Sequence, residues 1–330
     1  MSSVNDQKFP NLIYEAIAEL GVSSDPKAIA ERVKHLSRGL PAEDEFSMIL
    51  RESGKCSLVH KLDQYQSPPE SKEYYRVPDL LVIFDHQGHK IPTLIEIKYT
   101  KGETLKWRVD YFESLKRYGE VLKLPMLVAW KQKSLGGLWT LFELRHFKPI
   151  KKNYRITWKD SLKENLMGVL VGDFAIVLKK GVGLHIKMWR EEKIKEDQKE
   201  GIETWKTRIE EVYFTNSEGE YLKRINNGLF IFLFSAKLEE KQTIEGRQVN
   251  LHFVISEEQL VWAHQAFVNY FSLLTNDSPQ PFIWRELLQK DSVPFNLSTL
   301  KKAAKEGISQ KIVRCGLHQI PNQKPDILEK

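Results

Sequence analysis

Cysteine is nearly missing from this 330-residue chain: there are two, Cys56 and Cys315. They lie far apart in no metal-type spacing, so neither a disulfide framework nor a cysteine zinc site is indicated, and a reducing, cytoplasmic setting fits. Long apolar runs are missing too. No segment approaches the roughly 20 apolar residues of a membrane span. The start, Met1-Ser2-Ser3-Val4-Asn5-Asp6, lacks the basic-then-apolar pattern of a signal peptide, so a membrane is not an expected partner. There is no Gly-rich phosphate loop ending in Gly-Lys-Ser/Thr, no H-E-x-x-H and no G-x-S-x-G, which leaves ATPase, zincin and serine hydrolase readings without support. Internal repeats and low-complexity tracts are also absent.

What is present is a substantial apolar fraction, 41%, enough for a real core. The net charge of +6 is modest for the length, so its distribution matters more than its sum. Lys98 to Lys133 holds nine Lys/Arg against four Asp/Glu, and Arg145 to Lys163 holds seven against one. In the second stretch the cations interleave with Phe147, Tyr154 and Trp158, a mixture suited to phosphate contact plus stacking. Candidate nucleic-acid contacts are Lys101, Arg145, Lys148, Lys151, Lys152, Arg155 and Lys159; the competing reading is a solvated basic linker.

Along the chain, residues 11–37 read as two short helices, the second opened by Asp25 and Pro26. A third helix spans about Pro41 to Glu52, with Ala42, Phe46, Ile49 and Leu50 as its apolar stripe and Gly54 after it. Residues 63–73 read as a loop. Val77–Phe84 and Thr93–Tyr99 are predicted strands of a hairpin turning at Asp85-His86-Gln87-Gly88. A helix is expected over Glu103–Leu122, then strands over Met126–Trp130 and Leu138–Leu144. Further short strands are expected at Val169–Val171, Phe174–Leu178, Leu184–Met188, Glu210–Thr215, Leu229–Phe234 and Val249–Ile255. The charged run Arg190–Glu200 reads as a solvated helix or, preferably, a loop. Helices follow from Ser256, at Ile283–Gln289 and at Leu297–Lys305.

The chemistry concentrates on the hairpin. Strand periodicity puts Glu96 and Lys98 on one face and Ile95 and Ile97 on the other. A turn at Gln87-Gly88 sets Asp79 directly opposite Glu96, unless Pro92 bulges the strand and shifts the register. Two facing carboxylates need compensation, which a divalent metal together with Lys98 supplies.

Pro78-Asp79, a spacer and Glu96-Ile97-Lys98 resemble the PD-(D/E)xK nuclease superfamily. The closest pattern, over residues 40–145, is that of the archaeal-type Holliday junction resolvases: Ala42-Glu43-Asp44-Glu45-Phe46 is similar to their opening helix. Glu96-Ile97-Lys98-Tyr99-Thr100-Lys101 and Leu124-Pro125-Met126-Leu127-Val128-Ala129 continue the likeness. The resemblance implies a restriction-endonuclease-like α/β core with catalytic residues Glu43, Asp79, Glu96 and Lys98. It implies Mg²⁺ or Mn²⁺ held by Asp79, Glu96 and the Ile97 carbonyl, and products with 5′-phosphate and 3′-hydroxyl ends.

The expected layout is an N-terminal helical cap over 1–38, the nuclease core over 39–147, a basic linker and β-rich domain over 148–255, and a C-terminal helical region over 256–330. The leading expectation is a DNA endonuclease acting in recombination, restriction, transposition or defence, as a homo-oligomer or a subunit of a larger nucleic-acid-processing complex. The alternatives are a catalytically silent nuclease fold kept for DNA binding or assembly, and an RNA or single-strand nuclease. Glu45 and Glu52 read as solvent-facing helix residues, and His60, His86 and His89 as turn or surface residues. The last two helices suit plain packing better than a helix-turn-helix touching phosphate through Lys301, Lys302, Lys305, Lys311 and Arg314.

Overall fold

Residues 42–197, 202–273 and 296–328 are described by the computed structural model. The helices expected over 11–37 and at Ile283–Gln289, and with the latter the first half of the helix-turn-helix alternative, lie outside them. The chain divides into two compact units, the first comprising Met1–Val171, Gln280–Val293 and Ile320–Lys330, the second Gly172–Pro279 and Pro294–Gln319. The fold is mixed α/β, with a mixed sheet and helices in one unit and a β-rich second unit.

The first unit opens with helix α1 (42–52), whose stripe of Ala42, Phe46, Ile49 and Leu50 is buried, and Gly54 follows with φ +64°, a left-handed conformation that ends the helix. Then come β1 (Cys56–Lys61), the short α2 (Ser71–Tyr74), β2 (Leu80–His86) and β3 (His89–Thr100). Gln87 and Gly88 both have positive φ, the hairpin turn that fixes register in a twisted ribbon. Pairing runs unbroken from His86↔His89 through Ile83↔Pro92 to Leu80↔Ile95, so Pro92 introduces no bulge. After β4 (Thr104–Arg108) and α3 (Val109–Leu122) come β5 (Met126–Gln132) and β6 (Leu138–Glu143). The main sheet has the order β1-β2-β3-β5-β6, antiparallel except where β3 runs parallel to β5. β5 is buried along almost its whole length, as befits a strand covered on both faces.

Two departures from the expected layout matter for the site. Residues 104–108, expected as the start of a helix, form β4 because Leu105 and Trp107 alternate with exposed Thr104, Lys106 and Arg108. The expected core boundary at 147 falls inside the unit. β7 (Lys148–Ile150), β8 (Asn153–Thr157) and α4 (Trp158–Lys163) follow it, and β8 pairs with β4 in a sheet of order β4-β8-β7. The basic stretch is thus sheet and helix rather than linker. Its aromatics face inward: Phe147 stacks on Trp107 at 4.5 Å, Tyr154 on Phe112 at 3.7 Å, and Trp158 meets Trp130 edge-on at 5.1 Å. Met167–Val171 is a single wide helical turn, not a strand.

The chain returns to this unit at its far end. The Asn322 N–H donates to the Lys163 carbonyl at 2.9 Å, buried Ile327 donates its N–H to Glu143 Oε1 at 2.9 Å, and Arg145 bridges Glu143 (2.8 Å) and Asp326 (2.5 Å). Burial would raise the Glu143 carboxyl, but His146, the Ile327 N–H and Arg145 outweigh it and hold it low.

The second unit holds β9 (Ala175–Leu178), β10 (Gly183–Asp197), β11 (Ile202–Thr215), β12 (Tyr221–Leu222), α5 (Asn227–Phe234), β13 (Glu239–Glu245), β14 (Gln248–Val254), β15 (Gln259–Trp262), α6 (Ala263–Leu273), α7 (Leu297–Ser309) and β16 (Val313–Leu317). One sheet has the order β12-β11-β10-β14-β13 and another β15-β9-β16, all antiparallel. Up to Asp197 the charged run extends β10, while residues 198–201 lie outside the described set. The apolar run 229–234, expected as a strand, is helical. Asn226 caps it through the Gly228 N–H at 2.9 Å. A Cβ on Gly228 would lie 2.6 Å from Ala303, and one on Gly307 2.5 Å from Leu229, so glycines on both helices allow α5 and α7 to touch. Where a helix was expected from Ser256, Gln259–Trp262 is a strand paired with β9 and the helix begins at Ala263.

Candidate active site

The site forms where β2 stops short. Leu80↔Ile95 is the last pair of the hairpin, which among the described residues leaves the adjoining edge of β3 without a strand partner from Glu96 onward. Asp79 stands opposite Glu96 by register and fills the gap with its side chain. Its Oδ2 accepts the Ile97 N–H at 2.6 Å, while its own carbonyl accepts the Leu62 N–H at 3.0 Å. Pro78, buried before it, has no N–H to leave unmet. In a strand the N–H and C=O of one residue point the same way, so the Ile97 carbonyl faces this edge as well.

Glu96 is buried at 3% exposure. Its Oε1 accepts from both the Lys98 ammonium and the Tyr111 hydroxyl. Lys98 lies 5.3 Å from the Tyr111 ring and 5.9 Å from that of Trp107, and Arg76 covers Tyr111 at 4.3 Å. The hairpin supplies the carboxylates and the lysine; β4 and the first turn of α3 supply the aromatic wall.

Charge is out of balance here. Burial, then Glu96 and Glu43, push the Asp79 carboxyl up to about 8, against the opposing pull of Lys98 and the Ile97 N–H. Burial alone would lower Lys98, but Glu96, Tyr111 and Asp79 outweigh it and hold the ammonium above its ordinary value. Burial and Glu96 also raise Tyr111, which stays a neutral donor. Glu43 pairs with Lys61 of β1 and is close enough to act on Asp79. Glu45 is not solvent-facing as expected. It is buried, accepts from Lys131 at 2.5 Å and from the Trp139 indole at 2.8 Å, and so ties α1 to β5 and β6. Glu52 is half-buried beside Arg51, and burial raises its carboxyl.

The donor set suits a hard cation. Among the described residues, the second oxygens of Asp79 and Glu96 have no hydrogen-bond donor, and the Ile97 carbonyl points to the edge that Asp79 fills. No three His, Cys, Asp or Glu side chains among the described residues converge on one point, so such an ion would take two carboxylates and a backbone carbonyl.

Of the expected nucleic-acid contacts, Lys101, Lys148, Lys151, Lys152, Arg155 and Lys159 are exposed. Arg145 is engaged in the clamp on Glu143 and Asp326. Tyr111, Trp107, Arg76 and Lys61 escaped the sequence reading. Tyr111 had one signal: it precedes Leu115 by four residues on a helix that must face Glu96.

No family model and no curated protein matches the chain. Among solved structures it is similar to Archaeoglobus fulgidus Hjc, a Holliday junction resolvase from an archaeal hyperthermophile. The match has 18% identity and a TM-score of 0.32, and covers 41% of this chain and 96% of that one.

Proposed function

We propose that this protein is a divalent-cation-dependent DNA endonuclease of the PD-(D/E)xK type, hydrolysing phosphodiester bonds to 5′-phosphate and 3′-hydroxyl ends. The observation that carries this reading is two opposed, largely buried carboxylates with a lysine beside them, at the point where a strand ends. Asp79, Glu96 and the Ile97 carbonyl would hold Mg²⁺ or Mn²⁺, which polarises the scissile phosphate and acidifies a bound water.

This chain's own groups do the rest. Lys98, held above its ordinary value by Glu96, Tyr111 and Asp79, would neutralise charge growing on the phosphate oxygens and orient the attacking water. Tyr111 holds Glu96 in position, and Glu43 adds negative potential at Asp79. The inward turn of Phe147, Tyr154 and Trp158 removes the rings that favoured a single-strand or RNA nuclease.

The test is incubation with duplex, branched and single-stranded DNA and with RNA, in Mg²⁺ and in chelator, with analysis of product ends. Cleavage of DNA in Mg²⁺ alone, with 5′-phosphate ends, is expected. Cleavage of RNA only, or none in any divalent cation, overturns the proposal. Calorimetry of Mn²⁺ binding, expected in the wild type and lost in Asp79→Asn, reads the site independently of turnover.

A further inference from the structure

The small sheet beside the site carries a second group of like charges. Register places Lys106 of β4 directly opposite Arg155 of β8, and Arg155 directly opposite Lys148 of β7. Residues in such a row share a face. It is the outer one, because Leu105, Trp107 and Ile156, one residue along, are buried while the three cations are exposed. Neighbouring strands are about 4.8 Å apart, so the row spans roughly 10 Å. Like charges set directly opposite each other destabilise a sheet unless something neutralises them. Among the described residues, no carboxylate lies within ion-pair distance of Lys106 or Arg155, and Lys148 has only Asp160 at 3.8 Å. Lys151, at φ +54°, and exposed Lys152 extend the charge at the turn between β7 and β8. The same strand also walls the site: Trp107, between Lys106 and Arg108, lies under the Lys98 ammonium.

We infer that the outer face of the β4-β8-β7 sheet is a docking surface for the phosphate backbone of double-stranded DNA, with Lys106, Arg155 and Lys148 as its central row. Charge complementarity selects a polyanion. The aromatics of this segment pack inward, which leaves cations without stacking platforms, so the face fits a duplex, whose bases are already stacked, better than a single strand. The inference rests on the nuclease reading only for the identity of the partner.

The test is fluorescence anisotropy of the full chain in chelator, with duplex DNA, single-stranded DNA and duplex RNA of equal length, over a salt series. Lys106→Ala with Arg155→Ala should weaken duplex binding at least about tenfold and reduce the slope of log K against log salt by about 2, because each lost phosphate contact removes about 0.9. The same pair of changes on the second unit, Lys206→Ala with Arg208→Ala, should leave the slope in place. The Lys106/Arg155 variant should melt no lower than the wild type at low salt, since it removes repulsion. An unchanged slope, tighter binding to single strands, or duplex RNA held as well as duplex DNA would overturn the inference. If the wild type cleaves while the variant binds unchanged, the face is wrong and the nuclease stands. If the variant loses binding while the wild type cleaves nothing in any cation, the nuclease reading is wrong and the face stands.

Discussion

The two five-stranded sheets of this chain treat charge in opposite ways. In the second unit, charges that face each other across strands are neutralised. Lys187 opposes Glu211 and binds it at 2.7 Å, and where Glu196 faces Glu203 the Lys193 ammonium bridges both, at 2.8 and 2.7 Å. In the first unit, carboxylate faces carboxylate at Asp79 and Glu96, and the adjoining small sheet sets cation against cation. A sheet that only needs to fold neutralises its cross-strand pairs; one that leaves them unmatched carries a cost a ligand can relieve. Under the proposed function, the mismatch is where an ion and a polyanion would bind.

The sharpest way to break that contrast is at the acids. Glu96→Gln keeps the shape and the Tyr111 contact but removes the charge. It should lower cleavage by about a thousandfold in Mg²⁺, measured as single-turnover rate, with the fold intact by circular dichroism. Since Glu96 is buried, this conservative change is a better probe than alanine. Near-wild-type rates would remove the basis of the site.

Next come the two glutamates of α1, which the geometry separates. Glu43→Gln should slow cleavage about a hundredfold while stability holds. Glu45→Gln leaves Lys131 without its buried partner and should cost roughly 2–4 kcal/mol of unfolding free energy, with catalysis largely preserved in the folded fraction. Exchange of these two phenotypes would mean that α1 docks in the opposite rotation.

A smaller effect is expected in pH dependence. The Asp79 carboxyl sits near 8 when folded and would sit at about 4 unfolded, so between those values the folded state holds the extra proton. In chelator, stability should therefore fall as pH rises across that window. Asp79→Asn should flatten the decline, and Mg²⁺ should reverse it in the wild type only. Urea unfolding at several pH values reads all three. The least effect belongs to the matched sheet: Lys187→Gln, at an exposed ion pair, should leave melting, binding and cleavage unchanged within error.

Much of the site was legible because a hairpin with a two-residue turn has only one register. Gln87 and Gly88 fix the pairing of every residue up to Leu80 and Ile95, and the next positions are Asp79 and Glu96. The same logic failed where apolar spacing served two periods at once. Leu105, Val109 and Phe112 fit a helix, but Leu105 and Trp107 also alternate, and pairing with β8 decided for a strand. The run at 229–234 had no period to read, and its helical state came from the Asn226 cap and contact with α7. Lys61 and Arg76 were out of reach because Lys61 meets Glu43, and Arg76 the Tyr111 ring, only through tertiary packing. For the aromatics of the basic stretch, composition said what was there but not which way it faced.

The closing segment of the first unit has a consequence for synthesis. Glu143 receives the Ile327 N–H from 184 positions further along, a residue the ribosome has not yet made when β6 emerges. At 5–20 residues per second the wait is roughly 10–40 s. During that interval the carboxylate has only Arg145 and His146 for company, and the whole second unit is translated in between. The nascent first unit thus stays unlatched until residues 320–328 are made, and a fragment ending at Val171 would keep that vacancy permanently. A shortened chain meant to isolate the first unit has to carry residues 320–328 as well.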